Sequence, residues 1–145
     1  MSEIKEIANI VELFCDTVKK YGKKKIMKSM AEIHSQKIEE SNQAIIDYVI
    51  VQSCQCYGID KAEIFKSRVP SEKMDAKYLA MSIIKKHTNL PNIKIAEVFK
   101  SKTRSEVSKA LASLKNRNER YKPDADFLSF YSQVDEKTKR FLNFF

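Results

Sequence analysis

The stretch NIKIAEVFKSKTRSEVSKALASLKN, residues 92–116, reads as two short helices joined by a tight basic turn. In its first half Ile93, Ile95, Ala96 and Phe99 recur at helical spacing behind Asn92, an N-cap type of residue that follows Pro91. Lys100, Ser101 and Lys102 break that apolar pattern. Thr103, Arg104, Ser105 and Glu106 then fit a capping box, in which the Thr103 hydroxyl accepts from the Glu106 backbone N–H and the Glu106 carboxylate accepts from that of Thr103. Behind this start Val107, Ala110, Leu111 and Leu114 form one stripe, and the roughly 100° step per residue turns Ser105, Lys109, Ala112 and Asn116 outward.

That outward face is short, polar and cationic. Small residues with a few long donors are what a helix needs if its axis is to lie deep in a DNA major groove while its tips touch base edges. An amphipathic helix with a solvated outer face would show the same pattern, so this stretch alone leaves both readings open.

Composition narrows the surroundings. Gly occurs 2 times and Pro 3 times in 145 residues, while Lys, Glu, Ala, Ile and Ser fill long periodic stretches, an all-α composition. Lys plus Arg number 27 against 19 for Asp plus Glu, and the net charge of +8 favours a polyanion such as nucleic acid or an anionic membrane surface. No spanning segment is expected: the best apolar run, AIIDYVIV at residues 44–51, is interrupted by Asp47 and falls far short of the roughly 20 residues a bilayer requires. Glu3, Lys5 and Glu6 argue against a signal peptide. Cys15, Cys54 and Cys56 are odd in number and contain no CxxC, which points to a reducing, cytoplasmic setting with no metal site and no cofactor. Cys54 and Cys56 face different directions on a helix and read as buried or half-buried thiols.

In chain order, Ile4, Ile7, Ile10, Val11, Phe14 and Val18 predict a helix over about residues 3–21, closed by Gly22. The lysines at 19, 20, 23, 24, 25 and 28 form the densest positive cluster and read first as a solvated inter-helix turn. A second helix carries Ile26, Met27, Met30, Ile33 and Ile38. Polar Glu40, Ser41 and Asn42 suggest a boundary, and a third helix runs from Ala44 to the Gly58 cap. Asp60, Lys61, Ala62 and Glu63 repeat the capping-box pattern before Ile64 and Phe65. A basic linker at residues 66–70, extended at Val69 before proline, leads to a longer helix over about residues 72–87. Met74, Tyr78, Met81, Ile83 and Ile84 face inward there, and Lys77, Lys85 and Lys86 are left to solvent or phosphate. His87 at that helix's C-terminus reads as a dipole cap.

Residues 57–114 resemble the C-terminal DNA-binding domain of the bacterial replication initiator DnaA, of the Trp-repressor-like helix-turn-helix group. The resemblance lies in order and spacing: Gly58 and Ile59, Lys66-Ser67-Arg68, Ala80-Met81, Thr88-Asn89, Ile95 with Phe99, and Val107 followed by Ala110. It implies an all-α fold with a helix-turn-helix over residues 41–121; outside it, periodicity and composition predict a 1–40 N-terminal helical extension and a 122–145 aromatic-rich helical tail. It also implies phosphate contacts at Lys102 and at Lys77, where the family carries an Arg. The family's recognition helix opens with Arg-Asp-His-Thr-Thr, whereas Lys102, Thr103, Arg104, Ser105 and Glu106 stand here, so the family's base reading does not carry over. No GxxxxGK[ST] loop accompanies it.

The DNA-contacting set expected from these readings is Lys77, Lys102, Thr103, Arg104, Ser105, Ser108, Lys109 and Ala112. Double-stranded DNA is the expected partner, in a replication or transcription accessory role of bacterial, phage or mobile-element origin. The alternative is an assembly protein that keeps the scaffold and binds protein. Its surface would be the N-terminal helices or the aromatic tail, with Phe127, Phe130, Tyr131, Phe141, Phe144 and Phe145, which reads first as a helix packed back on the core and second as a surface for partner binding or self-association. No catalytic residues are assigned, because neither histidine stands at a spacing that suggests a nucleophile and base.

Overall fold

The computed structural model describes residues 2–66, 71–101 and 103–144, the side chains of Ser2, Ser71 and Glu72 excepted. The described residues form helices only: α1 (Ser2–Tyr21), α2 (Lys23–Tyr57), α3 (Lys61–Ile64), α4 (Ser71–His87), α5 (Asn92–Val98), α6 (Ser105–Asn116) and α7 (Lys122–Leu142). The chain divides into two compact units, residues 1–40 and 41–145. The basic linker, with the expected extended Val69, falls largely on residues 67–70, outside the described residues.

In the first unit Gly22 closes α1 with φ 86, and its N–H donates to the Val18 carbonyl at 2.8 Å. Such a φ suits a residue without a Cβ. The second and third helices expected from the polarity of Glu40, Ser41 and Asn42 are one continuous α2. Glu40 is exposed and Ser41 and Asn42 are half-buried, polar side chains that a helix tolerates, and no Gly or Pro lies between Lys23 and Tyr57 to interrupt the hydrogen-bond ladder.

The second unit is organised around α4. Ala76, Leu79, Ala80, Met81, Ile83 and Ile84 are all fully buried. They lie on several sides of the helix, so α4 is wrapped and not merely seated on one face, and each large apolar side chain of this kind contributes roughly 1.5–3 kcal/mol of burial. Ile45, Ile46, Val49 and Ile50 of α2, Ile64 of α3, Ile95 and Phe99, Val107 and Ala110 of α6, and Phe127 and Val134 of α7 complete the core. The tail is therefore part of this core. Phe141 stacks on Tyr48 at 4.2 Å between ring centroids, and Phe130 meets Tyr57 edge-on at 4.9 Å. Phe144 stays exposed, and Phe145 lies outside the described residues.

Gly58, with φ 62, ends α2 in a Schellman motif: its N–H donates to the Gln55 carbonyl and that of Ile59 to the Cys54 carbonyl. The capping box expected at α3 does not form. Asp60 makes no side-chain cap bond, and the Glu63 carboxylate instead pairs with Lys66 at 3.1 Å and Lys73 at 2.9 Å. Hydrogen bonds from the Lys73 and Lys66 ammonium groups hold it below the usual carboxylate range, against the opposing effect of burial.

Candidate nucleic-acid interface

Pro91, with φ −67 and ψ 154, takes the N-cap place of α5, and its carbonyl accepts from the N–H groups of Lys94 and Ile95. Asn92 is consequently the first helical residue and not the cap. Its Oδ1 is buried without a hydrogen-bond partner among the described residues. At the other end the Lys100 N–H donates to the Glu97 carbonyl at 3.1 Å and the Ser101 N–H to that of Ala96 at 2.9 Å, a second Schellman closure. The residue in the left-handed conformation here is Lys100, at φ 58. A lysine there costs roughly 1 kcal/mol or more relative to glycine, and it places a cation on the exposed turn between α5 and α6.

The capping box expected at the start of α6 is replaced by a stronger arrangement. Arg104 occupies the N-cap in a helical conformation with no side-chain cap bond, and the Thr103 hydroxyl lies 2.6 Å from that of Ser105. The Glu106 carboxylate turns into the protein, where Oε1 is 2.8 Å from Lys77 Nζ and Oε2 accepts from the Ser101 hydroxyl. Lys77 is 1% exposed, which corrects its assignment as a phosphate contact. A buried ammonium without a counter-charge costs several kcal/mol, whereas a cap bond is worth about 1 kcal/mol, so the carboxylate goes to the lysine. The pair ties α4 to α6, and Ser101 joins the preceding turn to both.

On the opposite side of α6 the predicted face is present. Thr103, Arg104, Ser105, Ser108, Lys109 and Ala112 are exposed, Val107 and Ala110 are buried, and Leu111 and Leu114 are half-buried. Lys102 lies outside the described residues. Arg104 and Ser108 border an open cavity of about 570 Å³ shared with Lys85, Asn92 and Ile93. Lys85 is the functional candidate that sequence reading did not attach to this face. It arrives from α4 and anchors to the Leu90 carbonyl at 3.0 Å through one of its three N–H donors. Only the folding-back of residues 88–91 brings it beside Arg104, so no local spacing could have signalled it.

Two further clusters brace α7. His87 Nε2 lies 2.6 Å from Asp135 Oδ1, and Lys86 donates to Asp135 Oδ2 at 2.7 Å. The histidine that looked like a dipole cap thus meets a carboxylate 48 residues away. Burial opposes ionisation of Asp135, but the hydrogen bonds from Lys86 and His87 outweigh it and hold the carboxyl below its usual range. Arg117, 9% exposed, bridges Asp75 at 2.8 Å and Asp124 at 3.0 Å and stacks on the Phe127 ring at 3.9 Å. Burial pushes the Cys54 thiol up. Among the described residues no cluster of His, Cys, Asp and Glu could hold a metal ion, and no helix is long and apolar enough to cross a membrane. No protein-family model, curated protein or solved structure matches the chain.

Proposed function

We propose that the second unit is a double-stranded DNA-binding module in which α5, the Lys100 turn and α6 act as a Trp-repressor-like helix-turn-helix, as the resemblance to the DnaA C-terminal domain implies. The observation that carries the reading is the fate of Glu106. It is the only acid in residues 100–116, and an outward carboxylate there would repel phosphate. Drawn onto Lys77, it leaves Arg104, Ser105, Ser108, Lys109 and Ala112 as a face without negative charge. The 12 residues of α6 span about 18 Å, enough to lie in a major groove, and small side chains at Ser105, Ser108 and Ala112 permit close approach. Lys85, Lys100 and Arg104 flank that helix start and suit phosphate contacts.

Electrophoretic mobility shift on random-sequence duplex across a salt series tests the reading. Retardation at low salt that fades steeply as salt rises is the counterion-release signature expected of several Lys and Arg contacts. Absence of retardation at low salt rejects DNA binding and leaves the protein-binding scaffold as the function.

A further inference from the structure

We infer that α1 is a self-association element that pairs antiparallel with α1 of a second copy of this chain. Ile4, Ile7, Val11, Phe14, Val18 and Tyr21 follow one another at alternating steps of three and four residues, the heptad spacing of a coiled-coil seam. A seam of that kind is normally covered. Here Ile4 is 69% exposed, Ile7 61%, Val11 55%, Phe14 47% and Tyr21 51%, with Ile10 alongside at 66%.

Two features of the helix point to a second copy, antiparallel, as what covers it. The seam is self-complementary under a two-fold axis through its middle. Ile4 faces Tyr21 of the second copy, Ile7 faces its Val18, and Val11 faces its Phe14, so one register satisfies every seam position in both chains. The charge is also polarised along the helix. Residues 3–16 carry Glu3, Glu6, Glu12 and Asp16 against Lys5, whereas the last turn of α1 carries Lys19 and Lys20, and Lys23, Lys24, Lys25 and Lys28 open α2 just beyond Gly22, with no acid between residues 17 and 31. A parallel pair would stack lysines on lysines and acids on acids. The antiparallel pair sets each acidic end beside Lys19 and Lys20 of the other copy.

The available area agrees. Six seam and flanking side chains, each about half or more exposed, offer on the order of 600 Å² per copy, and the pair clears the roughly 1,000 Å² that a specific interface needs. An anionic bilayer would also attract the lysines, but the four carboxylates of the same helix would be pressed toward its surface. This inference is independent of whether the second unit binds DNA.

Sedimentation velocity on the full chain at increasing concentration tests it, together with disulfide trapping in a Cys15→Ser background. The expected result is a reversible monomer–dimer equilibrium that weakens at high salt. Phe14→Asp should weaken it at least tenfold, and Glu6→Lys should weaken it while leaving circular dichroism and the melting of the second unit unchanged. Mixing Ile4→Cys with Tyr21→Cys chains should yield the heterotypic disulfide in preference to either homotypic one. A chain that stays monomeric at about 100 μM overturns the inference. So does a dimer indifferent to both Phe14→Asp and Glu6→Lys, preferential homotypic Ile4→Cys crosslinking, or a monomer that co-sediments with phosphatidylserine vesicles.

Discussion

Glu106→Ala separates the buried ion pair from the capping box that the sequence alone suggests. A capping box predicts a loss of about 1 kcal/mol at most. In the structure the substitution strands the Lys77 ammonium, 1% exposed, without its 2.8 Å partner. Removing one member of a fully buried pair costs about 3–5 kcal/mol, and because Glu106 is itself 22% exposed the loss should fall to or below the lower end of that range, about 2–3 kcal/mol. The reverse deletion is milder. In Lys77→Met the carboxylate left behind reaches solvent and keeps the Ser101 hydroxyl, while the methionine fills the lysine's stem, so the loss should be about 1 kcal/mol. Pairing Lys77→Met with Glu106→Leu should recover much of the loss. The chain has no Trp, so urea unfolding is best followed by far-ultraviolet circular dichroism. With a urea slope of about 1–3 kcal/mol per M, Glu106→Ala should lower the midpoint by about 0.7–3 M. Equal small losses for Glu106→Ala and Lys77→Met, with no coupling in the double mutant, would refute the buried-pair reasoning.

Arg104→Ala and Lys109→Ala should each weaken duplex binding and reduce the slope of log affinity against log salt by about one, with melting temperature unchanged; a mobility-shift titration measures both. Ala112→Glu should abolish duplex binding by clash and charge while the circular dichroism spectrum is retained. Lys100→Gly relieves the left-handed strain at φ 58 and should raise stability by about 1 kcal/mol in urea unfolding. Asp135 has its folded-state carboxyl below the ordinary value of 3.8, so it contributes stability above that value that is lost as pH falls through the folded one. The melting temperature should therefore drop below about pH 4, and Asp135→Asn should flatten that part of the profile.

What the sequence by itself determined was local. Helix periodicity placed α1, α4, α5 and α6 within a few residues, because apolar residues recurring every three or four positions mark a helix whether the stripe is buried, as in α6, or exposed, as in α1. Gly22 and Gly58 marked helix ends because a left-handed residue is needed there. The outward set of Ser105, Ser108, Lys109 and Ala112 followed from the same periodicity. Tertiary structure decided what each charged group does. Glu106 and Glu63 looked like capping-box acids, yet each left its own helix start for a lysine of another segment. Lys77 looked solvent-facing and is buried, Lys85 joins the α6 start through the fold of residues 88–91, and His87 finds Asp135 on α7. A hydrophobic stripe is legible through repetition, but the partner of a buried charge is set by which helices the core brings together. That choice is made by the apolar side chains that surround α4, Ala76, Leu79, Ala80, Met81, Ile83 and Ile84, which set where α6 and α7 lie against it.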